Sequence, residues 1–270
     1  MYALDFEYDG QYLSDYGFIV CDFNSPSGAD IVSAGSKITF NTVQQHRGNR
    51  YGLTGTKYDE YIQKTFHICK NPDICDEMRI TNDEYRDLMR WLNRKEFLPF
   101  QVLHEDDMEY DPCYFDASFN ISKIEINKIL YGLELTMETN RPFGYGLERS
   151  ESFNITAANT EIEITDSSDE VGYIYPDLII TCGSDGDLVV KNQTIGVEMV
   201  INNCTHGEII TVHGEPQIIT SSLEEHKLYN DFNFEFFKIG NSFEQRKNSI
   251  VVSLPCNIVI KYRPIIKDAP

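Results

Sequence analysis

The sequence predicts a mainly β protein of two domains: an N-terminal β-sandwich-like domain with one α-helix and a projecting arm, then a C-terminal β-sandwich. Three observations predict it. Ile121–Ile126 and Leu133–Thr139 alternate apolar and polar residues with the period of a half-buried antiparallel sheet. From residue 153 to 262, short strand-like runs recur between turn signals, the spacing of a sandwich or jelly roll. A single segment, about 82–95, carries helical periodicity.

In chain order, Leu4–Tyr8 alternates, Asp9-Gly10 supplies a primed-turn dipeptide, and Phe18–Cys21 is a short apolar strand, so residues 1–23 are expected to form a hairpin. Residues 44–60 are polar, glycine-rich and aromatic, with little to bury, and are expected to project. Tyr51, Tyr58 and Tyr61 give that stretch side chains suited to an interface. The helix starts at a capping box, Thr81 with Glu84, flanked by a hydrophobic staple of Ile80 and Tyr85. Its stripe is Tyr85, Leu88, Met89 and Leu92. Strand signals return at Phe97–His104 and Tyr114–Phe119, on either side of the acidic loop 104–111. Arg141–Gly146 breaks the pattern with a proline and two glycines, which places the domain boundary there: 1–146 and 147–270. The second domain is expected to hold strands at 153–156, 161–165, 178–182, 188–191, 197–202, 208–213, 217–220, 250–254 and 257–262, and no helix.

The formal net charge of −20 and the lack of any basic run argue against specific nucleic-acid binding, since phosphate neutralisation needs clustered Lys and Arg. No apolar stretch approaches the roughly 18 residues of a membrane span, and the N-terminus carries acids where a signal peptide needs a basic region. Folding in a cytoplasm is expected. The odd count of seven cysteines does not form a disulfide framework.

No constellation predicts catalysis, a cofactor or a metal. The acidic loop lacks the glycine and ligand order of a calcium loop. Asp185-Gly186-Asp187 reads as a tight turn. His67, Cys69 and Cys75 lack the paired spacing of a zinc module. Nucleophile elbows, zincin helices and phosphate-binding glycine loops are missing.

The order of features resembles the distal tail protein (Dit) family of long-tailed bacteriophages. The residues that carry the likeness are Phe6–Val20 at the start, Arg47-Gly48-Asn49-Arg50-Tyr51, the helix with Trp91-Leu92, Glu138–Gly146, Tyr175–Ile180, and the terminal Asn248–Val252 and Ile258–Pro264. The resemblance implies a homo-hexameric ring at the virion tail tip, assembled in the bacterial host cytoplasm. The N-terminal domains would form the ring, with an arm at about 44–70 clasping neighbours through Arg47, Arg50, Tyr51 and Tyr58. The C-terminal domain would be a galectin-like jelly roll facing outward. Implied partners are the tail tube protein, a tail-associated tip protein, and receptor-binding or baseplate proteins, with DNA passing through the ring. A galectin's sugar site does not carry over, because residues 150–270 contain neither a Trp nor a His-x-Asn-Pro-Arg strand. The alternative reading is a carbohydrate-binding module for host-surface glycan, with Tyr173 and Tyr175 as its stacking residues.

Overall fold

The computed structural model describes residues 3–23, 37–44, 51–58, 61–104 and 112–267. The chain divides into two compact units. One runs to Gly146 and takes in Ile266 and Lys267; the other spans Leu147–Ile265.

The first unit contains β1 (Ala3–Tyr8), β2 (Gln11–Tyr12), β3 (Phe18–Cys21), β4 (Ile38–Gln44), β5 (Tyr51–Tyr58), β6 (Gln63–Lys70), α1 (Asn82–Leu92), β7 (Leu98–His104), β8 (Tyr114–Ile126), β9 (Ile129–Thr139) and β10 (Gly144–Tyr145). Its main sheet is antiparallel, in the order β2-β1-β7-β8-β9-β6-β3. In a flat sheet, four inter-strand steps would set β1 and β6 roughly 19 Å apart. The rings of Phe6 on β1 and Phe66 on β6 instead lie 5.7 Å apart. The sheet therefore curls until its inner face closes on itself, giving the sandwich-like domain one aromatic core. Phe6, Phe66, Phe100 and Phe119 meet there at edge and tilted geometries.

The helix closes the open end of this curl. Thr81 Oγ1 accepts the Glu84 amide at 3.3 Å, and the Glu84 carboxylate accepts the Thr81 amide at 2.7 Å, so the capping box forms as the sequence implies. The buried stripe is Leu88, Trp91 and Leu92, with Met89 only half-buried. Trp91 stacks on Phe6 and Tyr16, and its indole donates to the Tyr8 carbonyl at 2.9 Å. The expected extent of 82–95 is corrected to Asn82–Leu92. Asn93 ends the helix because its side chain donates to the Phe119 carbonyl at 3.0 Å, which turns the chain onto the sheet.

The expected hairpin over residues 1–23 also needs correction. Asp9 and Gly10 adopt φ of 52° and 72°, as a primed turn requires, but the strand they return is β2 alone. A short 3-10 turn at Leu13–Tyr16, ended by Gly17 at φ 77°, then sends β3 to the far edge of the sheet, where it pairs with β6. A second primed turn, Asn127-Lys128 at φ 51° and 65°, joins β8 to β9. The two apolar runs around Asn120 are one continuous strand, β8.

The second unit holds β11 (Arg149–Ile155), β12 (Thr160–Thr165), β13 (Gly172–Ile174), β14 (Asp177–Cys182), β15 (Gly186–Asn192), β16 (Val197–Cys204), β17 (Ile209–His213), β18 (Ile218–Ser221), α2 (Leu228–Asp231), β19 (Ile239–Asn241), β20 (Lys247–Val252) and β21 (Cys256–Tyr262). Two sheets, β11-β21-β14-β17-β18 and β12-β20-β15-β16, contribute Leu178, Ile180, Ile258 and Ile260 on one side and Leu188, Val190, Met199 and Ile201 on the other to one buried core. This is a β-sandwich, with the small β13-β19 sheet beside it. The nine expected strand runs correspond to β11, β12, β14 to β18, β20 and β21. The one-turn α2 falls where no helix was expected, and Ile266 belongs with the first unit rather than the second.

The segment 222–237 shields the edge of β16. Asn233 mimics a neighbouring strand: its amide donates to the Val200 carbonyl, its Oδ1 accepts the Val200 amide, and its Nδ2 donates to the Glu198 carbonyl. A buried pair pins this segment from beneath, with His226 Nδ1 2.6 Å from Glu208 Oε1.

Candidate assembly site

Among the described residues, strands β4 and β5 pair only with each other, outside the main sheet. Their register runs from Ile38 opposite Tyr58 to Gln44 opposite Tyr51, with a bulge between Asn41 and Thr42. Thr54 is the extra residue, and its hydroxyl donates to the Asn41 carbonyl at 2.9 Å. The bulge sets the faces. Ile38, Phe40, Thr42 and Gln44 share one side with Tyr58, Thr56, Leu53 and Tyr51, while Thr39, Asn41 and Val43 take the other with Lys57, Gly55 and Gly52.

The first face is apolar and uncovered: Phe40 is 61% exposed, Leu53 60% and Tyr51 67%. An isolated two-stranded hairpin is marginal in water, and a contiguous exposed apolar face marks an interaction surface. The base of the hairpin, in contrast, is fastened to its own domain. The Tyr58 and Phe143 rings meet in a T-shaped pair with centroids 4.7 Å apart, and the Lys267 ammonium lies over the Tyr58 ring, 5.9 Å from its centroid. Four residues on, the Ile62 amide donates to Thr139 Oγ1 at 2.9 Å, and that hydroxyl donates to the Arg141 carbonyl at 2.7 Å. Asn140 bonds Asp116 through backbone and side chain. Gly144 packs where a Cβ would lie 2.3 Å from Cys113 Sγ and 2.8 Å from the Phe115 ring. The Thr139–Gly144 stretch is therefore the clamp on the hairpin's root.

Of the four contact candidates, Tyr51 stands exposed at the distal end and Tyr58 lies at the root, engaged within the subunit. Arg47 and Arg50 lie outside the described residues, as does the acidic loop from 105 to 111. The expected arm of 44–70 needs correction: the described hairpin is β4 and β5, beginning at Ile38 and ending at Tyr58. Residues 63–70 are β6, which pairs on both sides within the main sheet and turns Phe66, Ile68 and Lys70 inward. Ile38, Phe40 and Leu53 were missed by the sequence reading. The alternation of Ile38, Phe40 and Thr42 was the available signal.

The remaining constellations are structural. Asp185 accepts the His206 amide and Asp187 the Asn203 amide, both closing turns. His67 lies 3.4 Å from Glu134, and the Cys75 thiol donates to the Gly17 carbonyl at 3.7 Å. Among the described residues, no group of three His, Cys, Asp or Glu is placed to hold a metal ion. No helix among them is long and apolar enough to cross a membrane. Tyr173 is exposed, whereas Tyr175 is half-buried, with Lys238 over its ring at 5.4 Å.

Residues 1–141 match the family described as the phage tail protein N-terminal domain, and residues 143–262 match the phage tail C-terminal domain. The chain belongs to this family of phage tail proteins. A curated relative, the SPbeta prophage-derived uncharacterized protein YomH of Bacillus subtilis (strain 168), is 28% identical over 190 residues, spanning 69% of this chain and 71% of YomH. Among solved structures, the phage SPP1 Dit (gp 19.1) protein, described as a paradigm of the hub adsorption apparatus in phages infecting Gram-positive hosts, superposes with a TM-score of 0.66. That match covers 96% of this tail protein and 98% of SPP1 Dit at 14% identity, so the two share their fold.

Proposed function

We propose that this tail protein is a distal tail hub subunit, closing a homo-hexameric ring at the tail tip by laying the apolar face of each β4–β5 hairpin on a neighbour. The observation that carries the reading is the hairpin itself: a rooted base, an uncovered face of Ile38, Phe40, Leu53 and Tyr51, and no third strand paired to it among the described residues. The likeness in fold to SPP1 Dit supports it across both units.

In this reading the protein is not an enzyme and needs no cofactor. The ring joins the tail tube protein to a tail-associated tip protein, and the C-terminal sandwich, of galectin-like jelly-roll type, faces outward to hold receptor-binding or baseplate proteins. Assembly takes place in the host cytoplasm. The −20 charge lets DNA pass through without sticking, since like charges repel phosphates. Light scattering on the purified chain tests the proposal. The expected mass is six times the 31.1 kDa subunit, falling to that of one subunit when residues 38–58 are replaced by a short glycine-serine linker. A hairpin-less chain that still forms the ring would overturn it.

A further inference from the structure

A ring of more than two identical subunits joined by one kind of contact needs two different surfaces on each subunit, because a surface that meets its own copy makes a two-fold pair and stops there. In the ring proposed for this protein, and only in that reading, the face of Ile38, Phe40, Leu53 and Tyr51 must therefore land on a different part of the neighbour.

The register of β8 and β9 builds such a part. The Lys123 ammonium lies over the Tyr85 ring of α1, 4.3 Å from its centroid, and Leu130 packs against the core, so these two mark the helix side of the strand pair. Alternation then turns Ile124 and Ile126 to the opposite, outer side. Ile129 stands directly across from Ile126, and Gly132 across from Ile124, with Tyr131 taken up in the bulge between. Phe23 completes this outer face. A Cβ on Gly132 would lie 2.4 Å from the Phe23 ring, so the ring occupies the space above that glycine, next to Ile124. Phe23 is 40% exposed, Ile126 55% and Ile129 38%. Among the described residues, the other exposed large apolar side chains of this unit outside the hairpin are Tyr12, Tyr61, Ile74 and Phe97, which stand on separate elements.

Charge selects the occupant. A chain of net charge −20 repels its own copies wherever carboxylates face one another. The hairpin face carries no charged side chain, and none of Phe23, Ile124, Ile126 and Ile129 carries one either. Two uncharged apolar faces are where such copies meet at least cost. Both are pleated strand pairs as well, and strand pairs stack face to face with their side-chain rows interdigitated.

We propose that the hairpin face of one subunit packs on the outer side of the β8–β9 tip of a second copy, with Phe40 and Leu53 over Phe23, Ile126 and Ile129.

The test places the photocrosslinker benzoylphenylalanine at position 40 of the full chain, irradiates the assembled protein, and maps the joined peptides by mass spectrometry. The expected cross-links reach Phe23 or residues 124–129 of another copy. Cross-links to any other part of another copy would overturn this docking surface and leave the hairpin's role in assembly standing. Their absence between copies would overturn both. Ile126→Asp tests the same surface from the other side, and decides the matter if the photocrosslinker itself blocks assembly. The substituted side chain is exposed, so the dissociated subunit should melt with the parent, while the protein concentration needed for assembly rises by on the order of tenfold or more. Ile129→Asp repeats the comparison if Ile126→Asp does not fold. Assembly at the parent's concentration would overturn the docking surface; a ring that forms without residues 38–58 would overturn the hub reading beneath it.

Discussion

Truncating Phe40 to alanine removes the largest apolar side chain on the uncovered face of the hairpin without touching its root. Phe40 lies opposite Thr56, two residues from the Ile38–Tyr58 pair, and is 61% exposed. A phenylalanine offers on the order of 200 Å² for burial, so about 120 Å² remains for a neighbour to cover. At about 25 cal/mol per Å², that area is worth roughly 3 kcal/mol per interface, or about two orders of magnitude in subunit affinity. Because the side chain is largely solvent-facing in the subunit, the melting temperature of the dissociated subunit should stay within a degree or two of the parent. Light scattering across a dilution series reads the first quantity and calorimetry below the assembly concentration reads the second. The expected result is dissociation at about a hundredfold higher protein concentration than the parent. Leu53→Ala should act in the same direction with a smaller effect. A mass-versus-concentration curve unchanged in both variants would refute the assignment of this face to assembly. So would a large loss of subunit stability, which would mean that the side chain packs at home.

Three further outcomes follow from the fold. Gly132→Ala would bring a Cβ to 2.4 Å from the Phe23 ring and 2.9 Å from the Ile68 carbonyl, so a loss of about 1–3 kcal/mol in urea unfolding of the N-terminal unit is expected. An unchanged midpoint would show that Phe23 is not seated there. Thr139→Val removes the hydroxyl that accepts from Ile62 and donates to Arg141. It should cost roughly 1–3 kcal/mol by leaving a buried amide unpaired, and hydrogen exchange at Ile62 should quicken. Glu208 is nearly inaccessible, and burial pushes its carboxyl up, but hydrogen bonds from Ser221, His226 and the Thr205 amide outweigh this and leave it below the ordinary carboxylate value. A depressed carboxyl contributes stability that is complete above its unfolded value and is lost as pH falls through the folded one. The C-terminal unit should therefore weaken as pH drops below about 4, with Glu208→Gln less stable at neutral pH and flatter in its acid dependence. Parallel pH profiles for the two chains would rule out Glu208 as the source.

Most of the C-terminal sandwich was legible because its strands are bounded by turn chemistry and their inward residues alternate. Leu178 and Ile180, and Leu188 and Val190, each fall two apart and each turn inward. The helix was legible for a local reason as well, since Thr81 and Glu84 satisfy one another within a single turn. Register over long distances was not. Nothing between Asp9 and Cys21 reveals that Gly17 redirects β3 to the opposite edge, because its partner β6 lies about fifty residues away. A buried network around Asp166 was invisible for the same reason. Asp166 reads as the polar end of an alternating strand until Asn241 and Ile265 converge on Ser168.

The hairpin shows how composition can draw attention to a segment and misplace its edges. Polarity and glycines drew attention to residues 44–60, yet the side chains suited to contact are apolar and begin earlier, at Ile38. An apolar, alternating strand ordinarily signals burial, and on β4 that inference fails, since Phe40 stands exposed. The same alternation extends into β6, where Phe66 and Ile68 are buried by their own chain. The pattern in β4 and in β6 is alike; what separates them is the root between, where Tyr58 meets Phe143 and Ile62 meets Thr139. That clamp uses the Thr139–Gly144 motif whose spacing marked the end of the domain. The motif therefore does two things: it ends the N-terminal unit and sets where the hairpin leaves it. A ring built on this hairpin should accordingly be as sensitive to Thr139 as to Phe40. Thr139→Val should act by loosening the root and Phe40→Ala by stripping the contact, so only the first should lower subunit stability.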